Sequence, residues 1–188
     1  LGVDLKKIIR FDSGKTYKCN NLVICSASIK RIQGANGAIR CEDFMALRYA
    51  VEKYYQHISY DNKIDCLFCT RRNAKWRKIL NEEEVIDWLK QNFNTEIFEP
   101  EKLSIKDQLM MLGRTKFFFG NGGSTPFSIF QPKDSFLFEI RAPEGSGIVG
   151  RAWPDLFRFG YHLVDTKFAE NETADSGYHE KDLIINLD

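Results

Sequence analysis

The sequence contains no apolar run approaching the roughly twenty residues that a membrane-crossing helix needs, so it offers no membrane span of its own. It carries no surplus of one charge. Its 27 Lys and Arg against 26 Asp and Glu leave a formal net charge of +1, which excludes a nucleic-acid binder working by bulk electrostatics. Histidine is scarce. His57, His162 and His179 stand far apart, with no metal-ligand spacing and no neighbouring triad pattern, so structural roles are expected for them. No internal repeat or low-complexity stretch is present. No G-x-G-x-x-G follows a first strand, which argues against a nicotinamide oxidoreductase. The opening residues LGVDLKK look like neither a signal peptide nor a natural start, and the expectation is a piece of a longer protein.

Cysteine occurs in an odd number, five, so at least one is unpaired within the chain. Cys66 and Cys69 form a C-x-x-C inside the apolar run DCLFCT. On a strand, positions three apart face opposite ways, so these two cannot bridge each other, and no second C-x-x-C follows at zinc-ribbon spacing. They read as buried small hydrophobes. Asn171-Glu172-Thr173 is a single glycosylation acceptor pattern, too common to fix a compartment.

What is present is core material and regular punctuation. The 188 residues are 43% hydrophobic and 28% charged, with fifteen Phe, seven Tyr and three Trp. That suits one globular domain, or one domain and part of another. Short apolar runs read as strands at 22–27, 65–70, 95–98, 116–120, 135–140 and 161–165. Between them lie helical patterns at 42–57, 81–93 and 104–112. Asn81 with Glu84 reads as a capping box, and Ser104 with Asp107 as a second cap. The strands alternate little between polar and apolar, as expected when both faces are buried. Strands alternating with helices predict a Rossmann-like α/β fold, a parallel sheet flanked by helices, with 65–70 as its central strand. Residues 169–177 read as a polar loop. In such a sheet ligands bind at the carboxyl ends of the strands.

Three segments fall there. Gly120-Asn121-Gly122-Gly123-Ser124-Thr125-Pro126 follows a strand and enters a short helix, 126–130, with Thr125 as its cap and Pro126 at the first position. Such a turn presents backbone N–H groups to an anion, typically phosphate; a plain tight turn is the alternative. Arg71-Arg72-Asn73-Ala74-Lys75-Trp76-Arg77-Lys78 sets five cations in eight residues after the strand DCLFCT. Arginine forks suit phosphate, and a solvated basic loop is the alternative. Two anion-seeking segments on one edge fit a pyrophosphate. Glu139 ends the strand SFLFEI, where a carboxylate accepts from ribose hydroxyls in dinucleotide folds; an ion pair with Arg141 or Arg151 is the alternative. The run Glu82-Glu83-Glu84 suits the positive end of its helix rather than a metal.

In order and spacing these segments resemble glycosyltransferase family 61, which includes protein O-GlcNAc transferases, the O-mannose N-acetylglucosaminyltransferase and plant xylan xylosyl- and arabinosyltransferases. Arg72 and Arg77 ahead of Asn81-Glu82 look like the family's paired arginines before Asn-Glu. Ser104 and Gln108 match its later helix, Gly120 to Gly123 its Gly-x-His-Gly-Ala loop, and Phe138-Glu139-Ile140 its strand ending in Glu. The opening stretch 1–27 also looks like what precedes this half in the family, so the resemblance runs over about residues 1 to 165. Two positions depart: Asn121 stands in place of the loop His and Gly123 in place of Ala. Asn121 can keep a hydrogen bond but cannot give up a proton. The resemblance to two-domain enzymes implies an acceptor half ahead of this one, lying mostly outside these residues, with the general base expected there.

The resemblance implies the C-terminal, donor-binding half of a GT-B glycosyltransferase. On this reading residues 1–60 connect to the acceptor half, 61–168 form the nucleotide-sugar-binding domain, and 169–188 are a polar loop and tail. A UDP-sugar is the donor, a hydroxyl of a glycan or glycoprotein the acceptor, and transfer is inverting. Arg72, Arg77, Gln108, Asn121, Gly122, Gly123, Ser124, Thr125 and Glu139 are the expected donor contacts, with Arg72, Arg77 and Asn121 the candidates for a catalytic part. No D-x-D motif appears and GT-B enzymes need no bound metal, so neither metal nor other cofactor is expected. Eukaryotic members act in the secretory lumen, whereas free buried cysteines suit a reducing cytosol. The competing reading is a degenerate transferase, an α/β module that binds a nucleotide or partner without turnover.

Overall fold

The computed structural model describes residues 13–16, 18, 29–30, 38–39, 41–55, 63–75, 77–143, 154, 157–169 and 181–187. The expected strand at 22–27, His57, Trp76, Arg151, His179, the sequon at 171–173 and most of the polar loop lie outside them. The chain divides into two compact units, Leu1–His57 and Ile58–Asp188. In the first, β1 (Ile29–Lys30) and β2 (Ala38–Ile39) pair antiparallel and α1 spans Cys41–Tyr55. Phe44 and Val51 are half-buried on α1, but Leu47, expected on the same face, is 37% exposed.

The second unit is built on five strands: β3 (Ile64–Cys69), β4 (Thr95–Phe98), β5 (Thr115–Asn121), β6 (Phe136–Ile140) and β7 (Gly160–Val164). They lie in the order β4-β3-β5-β6-β7, and every pair is parallel. The protein therefore has a Rossmann-like α/β fold. The centre is β5, not the strand at 65–70 as expected. The chain runs from β3 outward to β4, then crosses back over β3 to lay β5 on its other side, and all later strands add beyond β5. That reversal puts a switch point between β3 and β5.

Side-chain alternation sorts the sheet into two buried faces. One carries Cys66, Phe68, Phe119, Ile140 and Val164, covered by Val85, Ile86 and Leu89 of α2 (Glu82–Asn92) and by Leu183 and Ile185. The latter two belong to β9 (Leu183–Ile185), which pairs antiparallel with β8 (Thr166–Phe168). Neither strand was legible in advance. The other face carries Leu67, Phe118 and Leu137, each 0% exposed. Against it lie α3 (Ile105–Gly113), whose Leu109 and Leu112 are buried, and the 3₁₀ turn Thr125–Phe130. Phe98 meets Phe118 and Phe127 edge-on there, at 6.0 and 5.3 Å between centroids. Cys66 and Cys69 are both free and buried. Burial pushes their thiols up to about 12 and about 11, so neither is a nucleophile at neutral pH.

Caps were half right. The Ser104 hydroxyl accepts from Asp107 N–H at 3.1 Å, as expected. Asn81 makes no side-chain cap bond to α2. Its amide is taken by β9 instead: Nδ2 donates to Ile185 O (2.8 Å) and Ile185 N–H donates back to Oδ1 (3.0 Å). A reciprocal pair of bonds to a partner strand outcompetes one bond to a helix end. Among the described residues no helix is long and apolar enough to cross a membrane.

Candidate active site at the switch point

In open parallel sheets the crevice at a switch point, outside the carboxyl ends of the strands, is where ligands bind. Here the two loops flanking it are the arginine segment, after β3, and the glycine segment, after β5. A hollow of about 260 Å³ beside the first is lined by Arg71, Arg72, Lys78 and Glu82 among others. A larger one, about 520 Å³, opens at the amino ends of β3 and β5 between Lys63, Asp65, Arg114 and Asp134. Size favours the second, but position in the topology favours the carboxyl edge, which makes that edge the candidate site.

The arginine loop is held by Glu82. This residue, read as a charge suited to the helix start, is only 6% exposed. Its carboxylate accepts from the Thr70 hydroxyl and from Arg71 N–H (2.8 Å), and Arg72 N–H in turn donates to Thr70 Oγ1 (3.2 Å). The first turn of α2 thus clamps the end of β3. The far end of the loop is pinned to β9. Lys78 N–H donates to Asp182 Oδ1 (2.7 Å), Leu183 N–H to Lys78 O and Leu80 N–H to Leu183 O, both 2.8 Å. The Asn81 bonds complete the clasp, giving both members of the Asn81-Glu82 pair a reason in the loop's geometry.

Between these anchors the arginines part company. Arg72 turns outward, its side chain 48% exposed, with Nη2 2.6 Å from Glu83 Oε1 and Nε 3.8 Å from Glu82 Oε1. Arg71 turns toward Arg77, and its Nε lies 3.4 Å from Arg77 O. Burial and then the neighbouring Arg77 charge lower its pKa from the ordinary arginine value. Arg77 adopts φ +56°, a left-handed backbone that costs a non-glycine residue roughly 1–2 kcal/mol. Its Nε is buried with no hydrogen-bond partner among the described residues. Two like charges are thus held together at a partly buried strand end, one of them on a strained backbone. Arg71, two residues past the end of β3, turns to Arg77, whereas Arg72 turns to Glu83.

The glycine loop is bonded to itself. Asn121, 8% exposed, accepts Ser124 N–H on its backbone carbonyl (2.7 Å) and Gly123 N–H on Oδ1 (3.3 Å). Ser124 Oγ donates to Asn121 O (3.0 Å), and Thr125 Oγ1 to Gly122 O (3.1 Å). The residue preceding the 3₁₀ turn is Ser124, and Thr125 is its first member rather than its cap, because the turn closes one residue earlier than expected. The glycines differ in kind. A Cβ on Gly120 would stand 2.8 Å from Ser124 Oγ, so packing requires that glycine. A Cβ on Gly122 would meet nothing within 4 Å, and one on Gly123 only Asn121 Oδ1 at 3.7 Å. Both are exposed, and neither has a left-handed φ. They leave backbone bare at the edge of the crevice.

Cys69, buried at the end of β3, lies close to Ser124 of the glycine loop and to Arg71 of the arginine loop. One strand further on, Glu139 is 2% exposed and accepts from Tyr161 Oη at 2.6 Å. Gln108 is turned to local work: its Nε2 donates to Pro100 O (2.8 Å) and Leu103 O (3.2 Å), holding the turn after β4.

Fold and edge together define an open parallel α/β protein whose polar loops converge at one switch point. The chain belongs to glycosyltransferase family 61: the model of that family, Glycosyltransferase 61, matches residues 15–149, which takes in both loops and Glu139. It is therefore a glycosyltransferase, and its substrates are a sugar donor and an acceptor. No curated protein matches the chain.

Proposed function

We propose that this unit holds a UDP-sugar and presents its anomeric carbon to a hydroxyl of a glycan or glycoprotein, with inversion and without a bound metal, as the donor half of a GT-B enzyme. The observation that carries the reading is the Arg71–Arg77 pair at the switch point. Fixed guanidinium groups there meet a pyrophosphate and stabilise the charge that grows on it as UDP departs. The bare backbone of Gly122 and Gly123 allows a phosphate to approach closely, and Asn121, Ser124 and Thr125 set the shape of that turn. Glu139 receives the ribose hydroxyls. Arg77 and Asn121 stay the candidates for a catalytic part, with Arg71 beside them; Arg72, ion-paired to Glu83, takes a place at the rim of the loop, and Gln108 supports the turn after β4. Isothermal titration of UDP, GDP and CMP into the chain tests the donor class. Selective binding of UDP is the expected result, and equal or no binding rejects it.

One observation favours the second reading, a module that binds the nucleotide without turnover. Asn121 stands where the resemblance expects His, and its Oδ1 is occupied within its own turn, so this position transfers no proton. Release of UDP from a UDP-sugar by the full-length protein separates the two.

A further inference from the structure

A carboxylate only 2% exposed loses most of its hydration and needs hydrogen-bond donors in return. Glu139 has one among the described residues, the phenol of Tyr161. The strand register explains the contact. Tyr161 is the Cα partner of Leu137, two residues before Glu139 on the neighbouring strand, while Glu139 itself faces Leu163. Leu137, Glu139 and Tyr161 therefore share one face, and a tyrosine is long enough to cross the diagonal between neighbouring strands. The opposite neighbour of Glu139 is Gly120, which has no side chain to hold the carboxylate from that side. The fixed reference for Glu139 is thus Tyr161, on a strand that carries neither of the two anion-binding loops.

We propose that Tyr161 is a positioning residue: its hydroxyl fixes one carboxylate oxygen of Glu139 so that the other accepts from the vicinal hydroxyls of the nucleoside ribose. This rests on the UDP-sugar reading above. The role is directional. A hydrogen bond to a charged acceptor is stronger than a neutral one, and it locks the carboxylate in one rotation before the ligand arrives. Without the phenol, the ligand must order the carboxylate as it binds, and affinity falls. The loss appears only with ligands that present the hydroxyls.

The test is titration of UDP and of 2′,3′-dideoxy-UDP into the full chain and three variants: Tyr161→Phe, Glu139→Gln and the double substitution. Phe retains the ring and its packing, and thermal unfolding monitors the fold of each variant. The unaltered chain is expected to prefer UDP by about tenfold, the scale of one charge-assisted hydrogen bond. Tyr161→Phe and Glu139→Gln should each remove most of that preference, leave dideoxy-UDP affinity unchanged, and cause no further loss when combined. If Tyr161→Phe keeps the preference, or if the two losses multiply in the double variant, Tyr161 does not act through Glu139 and the inference is overturned while the donor reading stands. If the unaltered chain binds both ligands equally, the ribose assignment of Glu139 fails and the inference with it. If it binds neither, the donor reading itself falls.

Discussion

The two loops at the switch point are stabilised in opposite ways. The glycine loop satisfies itself: Asn121, Gly122, Ser124 and Thr125 exchange hydrogen bonds over at most three residues. The arginine loop is held from outside, by a buried carboxylate eleven or twelve residues on and by a strand 104 residues away. The first kind of loop makes a shape and leaves its backbone bare. The second holds charges that would otherwise drift apart. A site for a pyrophosphate needs both, and the difference says which residues matter at a distance.

The sharpest way to break that comparison is Glu82→Ala. It leaves the Thr70 hydroxyl and Arg71 N–H without their acceptor, and hydrogen bonds to a charged group contribute roughly 1.5–3 kcal/mol each. We expect a stability loss of about 3 kcal/mol by urea denaturation, together with loss of UDP binding. A stable variant that still binds UDP would show that the loop holds itself. Next comes Arg77→Ala, expected to weaken UDP binding by about 2 kcal/mol, at least tenfold, while Lys75→Ala and Lys78→Ala change it little. Equal losses in a titration of the three would reduce the loop to its summed charge. Arg77→Gly should bind as poorly as Arg77→Ala yet be more stable by about 1 kcal/mol, because glycine relieves the left-handed backbone.

Within the glycine loop, Gly120→Ala should cost roughly 1–2 kcal/mol of stability by overpacking against Ser124, whereas Gly122→Ala should leave stability within about 0.5 kcal/mol and weaken only nucleotide binding. Thermal unfolding alongside titration separates them, and similar effects from both would erase the distinction between packed and bare glycine. The smallest effect belongs to Arg72→Ala. Its exposed ion pairs are worth about 0.2–1 kcal/mol, so UDP affinity should stay near that of the unaltered chain while Arg71→Ala lowers it. The reverse outcome would restore Arg72 to the site.

The same contrast governs what could be read in advance. The parallel sheet was legible because unalternating runs such as Asp65 to Thr70 and Lys116 to Gly120 are bounded by helical patterns. The glycine turn was legible because its bonds are local. The Ser104 cap was legible for the same reason, since Asp107 lies three residues on. Asn81 does precede α2 as expected, but its capping bond was misread, because a strand a hundred residues distant takes the amide. Glu82 was read with Glu83 and Glu84 as suited to the start of its helix, and only the tertiary fold buries it. Arg72 was named by matching an arginine pair in order along the chain, and order does not reveal that its side chain turns to Glu83. Tyr161 carries no motif. Its role appears only once β6 and β7 are in register.

The clasp between Lys78–Asn81 and Asp182–Ile185 also has a kinetic meaning. Contacts across a hundred residues close large loops, and loop-closure entropy must be met before such contacts repay it. The local turn around Asn121 can form on the timescale of a short loop, whereas the arginine pair acquires its clasp only after β9 has docked beside α2. In refolding from urea, recovery of UDP binding should lag behind recovery of secondary structure, and the nucleotide would report the last step in which the sheet is sealed.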